Sequence, residues 1–143
     1  MTPLDLPDAI DRALAGESIL ILPQARTGAV TEVAPDRWAS PGDAPALILF
    51  TSGSTGAAKA VALSAHALTA SARATERFLS GPGRWLLTLP VNHIAGFQVE
   101  LRARLAGEDP VRAAAGPFTA QGFAAEVAEP RSRTGGLAGR QRL

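Results

Sequence analysis

Three apolar runs of strand length constrain the fold most, because none of them alternates: 18–23 (Ser-Ile-Leu-Ile-Leu-Pro), 46–50 (Ala-Leu-Ile-Leu-Phe) and 84–90 (Arg-Trp-Leu-Leu-Thr-Leu-Pro). A strand with one wet face alternates apolar and polar residues, whereas a strand covered on both faces reads as a continuous apolar run. Helical segments lie between the runs. Residues 7–16 open with proline and acids, place Ile10, Ala13 and Leu14 on one face and close at Gly16. Ser64 reads as the N-cap of a helix to about Leu79 that buries Leu68, Ala72, Thr75 and Leu79. Residues 97–105 predict a second amphipathic helix, with Phe97, Leu101 and Leu105 on one side and a Glu100–Arg104 i,i+4 pair on the other. Residues 110–113 add a short strand, and 119–129 a further helix anchored by Phe123 and Val127. The stretch 24–45, with Pro35, Pro41, Gly42 and Pro45, reads mostly as loop. This order predicts an α/β fold in which a parallel-rich sheet is flanked by helices through right-handed crossovers.

Composition narrows the chemistry. At 143 residues and 46% hydrophobic, with 19% charged, the chain is globular and has the size of one domain or part of a larger one. It has no cysteine, which excludes disulfides, thiolate metal sites and a cysteine nucleophile. Its two histidines, His66 and His93, are far apart, so no metal-ligating residue is assigned; His66 reads as a surface residue. No apolar run approaches the ~20 residues of a membrane span, and the first residues lack a basic region, so a soluble cytoplasmic protein is expected. Of the basic residues, 13 are arginine and one, Lys59, is lysine. Arg131, Arg133, Arg140 and Arg142 crowd residues 130–143, which hold no acid; subtracting those four from +1 leaves residues 1–129 at −3. A mildly acidic body is not that of a nucleic-acid binder.

The lone lysine ends the most informative segment. Directly after the run 46–50 come Thr51, Ser52, Gly53, Ser54, Thr55, Gly56, Ala57, Ala58 and Lys59: four hydroxyls, two glycines and the only lysine in nine residues. Glycines let backbone N–H groups turn toward an anion, hydroxyls add donors without bulk, and the ammonium supplies a compact charge for a phosphate. A loop at the carboxyl end of a buried strand is also where α/β sheets bind ligands. The P-loop NTPase pattern needs glycine before the lysine and Ser/Thr after it, but Ala58 and Ala60 stand there. The Rossmann pattern lacks its third glycine. A second segment, Pro90, Val91, Asn92, His93, Ile94, Ala95, Gly96, Phe97, Gln98 and Val99, follows the run 84–90 and should open on the same sheet edge. Its imidazole is suited to orienting a carboxylate or stabilising developing charge.

The segment from Phe50 to Lys59 resembles the signature loop of the adenylate-forming (AMP-binding) enzymes, which include acyl-CoA synthetases, luciferases and peptide-synthetase adenylation domains; Ala58 stands where that family usually has proline. The second segment resembles the family's acyl-pocket motif, in a form most similar to the o-succinylbenzoate–CoA ligase branch of menaquinone biosynthesis, with Asn92 where a histidine or aromatic is usual. The resemblance implies ATP, Mg2+ and CoA as cofactors and cosubstrate, and a small carboxylic acid, o-succinylbenzoate, as substrate. It implies that Thr51, Ser52, Gly53, Ser54, Thr55, Gly56 and Lys59 hold the outer phosphates of ATP, and that Asn92, His93 and Gly96 bind the acid. Lys59 and His93 are the implied catalytic residues, Gly96 letting substrate approach the helix start. Nucleic-acid and membrane partners are not expected.

The resemblance covers roughly residues 1–129. Family members continue with an adenine- and ribose-binding segment, a magnesium-binding acid and a mobile lid with a catalytic lysine, and no lysine follows Lys59. The expectation is therefore the partial N-terminal region of an acid–CoA ligase, inactive alone, ending in a basic disordered tail at 130–143 that is truncated or frame-shifted. The alternatives are a short- or aryl-acyl CoA ligase, or a non-catalytic remnant that acts only as a binding protein.

Overall fold

The computed structural model describes residues 4–24, 28–37, 44–51, 58–113, 119–128 and 140–142. Helix α1 (Leu6–Leu14) starts at Asp5, whose carboxylate accepts the Asp8 N–H at 3.3 Å, and has proline in its first turn. It ends at Gly16, which takes φ +79°, a left-handed conformation that closes a helix at no Cβ cost in glycine. Ala9, Ile10 and Ala13 face inward.

Strand β1 (Ile19–Ile21) is central in a four-stranded sheet of order β2-β1-β3-β4, with β2 (Thr31–Val33), β3 (Leu47–Thr51) and β4 (Lys59–Leu63). The pair β1–β3 is parallel (Leu20↔Leu47, Ile21↔Ile48), as the non-alternating runs predict. Both flanking strands are antiparallel to their neighbours: β2 on β1, and β4 on β3 from Leu47↔Leu63 to Thr51↔Lys59. The sheet is therefore mixed. Strand β2 and a 3-10 turn over Pro35–Arg37 occupy part of the stretch read as loop.

Ser64 caps α2 (Ala65–Phe78), its hydroxyl accepting the Ala67 N–H at 3.1 Å; Leu68 and Ala72 are buried. Ser64→Ala should lower stability by about 1 kcal/mol in a urea titration, since it strips an acceptor from the first turn. Strand β5 (Gly83–Leu87) is central in a second, parallel sheet of order β6-β5-β7, with β6 (Val111–Arg112) and β7 (Arg140–Arg142). Of the tail at 130–143, expected to be irregular, the residues described form this strand, with Gly83 opposite Arg140 and Trp85 opposite Arg142. Helix α4 (Ala120–Ala128) completes the order.

Helix α3 (Ile94–Leu105) joins the two sheets and differs most from its predicted form. Phe97 and Leu101, 1% and 0% exposed, complete a core with Ile10, Leu20, Leu47 and Leu68. Val99 and Ala103 pack on another side against Trp85 and Leu87. A helix held on two sides has no single wet face, so Glu100 is buried and Leu105 is exposed. The expected Glu100–Arg104 pair does not form. Glu100 binds Arg112 of β6 at 3.0 and 3.1 Å, and Arg104 reaches Asp11 of α1. A further fork ties Arg12 of α1 to Glu32 of β2, two contacts of 2.8 Å. Among the described residues no helix is long and apolar enough to cross a membrane.

Candidate functional site

The two segments singled out above leave from the ends of β3 and β5. Sequence reading runs the hydroxyl-rich loop from strand straight toward helix; the structure instead returns it through β4, so the loop is the tip of an antiparallel hairpin. Thr51 and Lys59 face each other in register at its base, and the Thr51 hydroxyl donates to the Lys59 carbonyl at 3.4 Å. Both side chains are exposed. Ser52, Gly53, Ser54, Thr55 and Gly56 lie outside the described residues. What is defined is the frame: a loop whose two ends are pinned one strand spacing apart, with the ammonium-bearing residue at the exit. Pinning matters because an anion cradle needs donors whose positions are set before the ligand arrives.

The second segment forms the turn between β5 and α3. His93 is the N-cap of α3, with extended backbone (φ −111°, ψ 148°), and its carbonyl accepts the Phe97 N–H at 2.8 Å. Its side chain makes no capping hydrogen bond. Asp5 and Ser64 cap α1 and α2 through side-chain oxygens, so α3 forgoes a preferred cap at this one turn. The imidazole is half-buried and uncommitted to the helix.

Asn92 and Gly96 each have a structural contact in this turn. The Asn92 amide donates to the Gly28 carbonyl at 2.8 Å, across 64 residues of sequence, tying this turn to the segment that follows β1. Gly96 is buried, and a Cβ there would lie 2.2 Å from the Pro90 oxygen and 2.7 Å from the Leu89 oxygen. The space a side chain would take is thus filled by the protein's own backbone. The glycine lets the turn close on α3.

Strands β1 and β3 are parallel, so the chain leaves both at the same sheet edge. The hairpin tip departs from β3 there, and Gly28, seven residues past the end of β1, brings the His93 turn toward that edge through Asn92. No hydrogen bond joins Lys59 to His93 among the described residues. His66 is exposed on α2, as expected. Gly28 escaped the sequence reading because nothing local marks a carbonyl as the partner of a distant amide. No group of three or more His, Cys, Asp or Glu able to hold a metal occurs among the described residues.

Residues 8–127 match the AMP-binding enzyme family. The chain belongs to that family. Curated relatives include probable 2-succinylbenzoate–CoA ligases from two strains of Mycobacterium tuberculosis, each 52% identical over 69 residues; the match covers 48% of this chain and 18% of theirs. Among solved structures, a double mutant of o-succinylbenzoate CoA synthetase from Bacillus subtilis, bound with its product analogue OSB-NCoA, superposes with a TM-score of 0.51 at 28% identity. That match covers 59% of this chain and 18% of the other. The α/β architecture of the AMP-binding chain is therefore that of part of an adenylate-forming enzyme, and the chain spans about 18% of the length of the relatives it matches.

Proposed function

We propose that this chain carries the phosphate loop and the acid-side turn of an ATP-dependent acid–CoA ligase whose substrate is o-succinylbenzoate, in the cytoplasm. The observation that carries the reading is the pairing of Thr51 with Lys59, which pins the two ends of a segment whose sequence carries the only lysine and four hydroxyls. The similarity to 2-succinylbenzoate–CoA ligases supports the choice of acid. In the reaction, a carboxylate oxygen of the acid attacks the α-phosphorus of ATP and the bond to pyrophosphate breaks. The CoA thiol then attacks the acyl carbonyl, losing its proton, and AMP leaves. Lys59 and the hydroxyls of Thr51, Ser52, Ser54 and Thr55 would hold the β- and γ-phosphates, and Gly53 and Gly56 would admit them close to the backbone. Charge held in this way stabilises the departing pyrophosphate. His93 would orient the attacking carboxylate, and Asn92 would hold the turn that carries it. The described residues form no magnesium site, so no step is assigned to the metal.

Calorimetric titration with Mg-ATP tests the loop. The chain should bind ATP, and Lys59→Ala should weaken it about tenfold or more, the loss of one charge-assisted contact. Equal affinity in the variant would overturn the phosphate-loop reading. Because the chain spans a minor share of its relatives, pyrophosphate release with ATP and o-succinylbenzoate should stay at background. A panel of aryl and short-chain acids then separates the o-succinylbenzoate assignment from the wider ligase class.

A further inference from the structure

Beyond that site, the far ends of α2 and α3 enclose a cleft of about 110 Å3, walled by Arg73 and Glu76 of α2, the turn before β5, Trp85, and Arg102 and Leu105 of α3. Arg102 lies nine residues along α3 from His93, roughly 14 Å at the helical rise, so the cleft is separate from the His93 turn. The Arg102 guanidinium sits over the Trp85 ring, 5.2 Å from its centroid. Its Nε is shielded from solvent and has no hydrogen-bond partner among the described residues. No carboxylate among them stands within ion-pair range, Glu76 included, and burial lowers its pKa with no acid to offset the loss. Glu100, buried on the same helix, is treated differently: it has Arg112.

Arg102 is half-buried, and an Nε shut off from water with no counter-charge beside it is unfavourable. The guanidinium's planar fork matches the paired oxygens of a carboxylate or phosphate, and the Trp85 ring lies beside it within cation–π range. With Arg73 and Arg102 against Glu76, the lining carries excess positive charge. We propose that this cleft is a binding site for a small oxyanion, the carboxylate or phosphate group of a metabolite, gripped by Arg102 against Trp85.

Tryptophan fluorescence of the full 143-residue chain tests this. Trp38 and Trp85 are the two tryptophans, so Trp38→Phe leaves Trp85 as the sole reporter. Inorganic phosphate and benzoate are titrated separately at constant ionic strength. A saturable change with either, with mutual competition if both bind, is expected. Arg102→Met keeps an apolar stem over the ring and removes the charge; it should weaken the response about tenfold or more while the circular dichroism spectrum is unchanged. Lys59→Ala should leave the response intact, which separates this site from the phosphate loop. No saturable change with either anion, a response that survives Arg102→Met, or one that follows Lys59 instead would each overturn the proposal.

Discussion

Gly96→Ala is expected to destabilise the protein by about 3 kcal/mol, although alanine is favoured over glycine inside a helix by roughly 1 kcal/mol. The added methyl would stand 2.2 Å from the Pro90 oxygen and 2.6 Å from its carbonyl carbon. Those atoms are backbone, and they cannot swing aside as a side-chain tip can. Either α3 shifts off Phe97 and Leu101, or the turn opens and carries Asn92 off the Gly28 carbonyl. Chemical denaturation reads the first outcome, and amide shifts at Gly28 the second. Ala95→Ser, at an exposed neighbour on the same helix, is the control and should move stability by no more than about 0.5 kcal/mol. A Gly96→Ala protein as stable as its parent would mean that the turn does not close on α3 as described.

Loss of Arg112 is the second large effect. Glu100 is 2% exposed and depends on Arg112 for its ion pair. Burial is the dominant influence on the Glu100 carboxyl and raises its pKa above the ordinary 4.5 even with Arg112 in place. A carboxyl with a raised folded-state pKa favours folding when protonated. Its contribution is fully present below 4.5 and is lost as pH rises through the folded value. Arg112→Met removes the compensating charge and should cost about 3 kcal/mol at neutral pH, most of it recovered below pH 4.5. Glu100→Gln alone should be close to neutral, and adding it to Arg112→Met should restore stability. The comparison is variant against parent at each pH, because Asp11 and Glu32 respond the other way. Arg104 and Arg12 hold their pKa values down, so their contribution is present above the ordinary 3.8 and 4.5 and fades as the solution is acidified.

Much of this architecture was legible from local pattern. The runs at 18–23, 46–50 and 84–90 became β1, β3 and β5 because continuous burial leaves a sequence mark. Proline in the first turn and Ser64 at the N-cap marked helix starts because both preferences are local. Strand β4 was not legible: Lys-Ala-Val-Ala-Leu is short, barely alternates and follows a glycine-rich segment, so its strand character comes from pairing with β3. Strand β7, Arg-Gln-Arg, is held by backbone pairing to β5, to which hydrophobic pattern is blind. The Glu100–Arg104 spacing is favourable in an isolated helix, but tertiary partners took both charges. At the candidate site the position of Thr51 at the end of an apolar strand and of His93 in a strand-to-helix turn could be read in advance. The tether from Asn92 to Gly28 and the backbone pressed against Gly96 arise only once distant segments meet.

Strand β4 is the outermost strand of its sheet among the described residues, and Ala60, Val61 and Ala62 are exposed along it. A free edge of small apolar residues invites a neighbouring chain to zip on, and a charge at its end is a common deterrent. Lys59 is that charge. Neutral replacements at this position should therefore be handled dilute and checked by light scattering, with arginine as the charge-preserving counterpart.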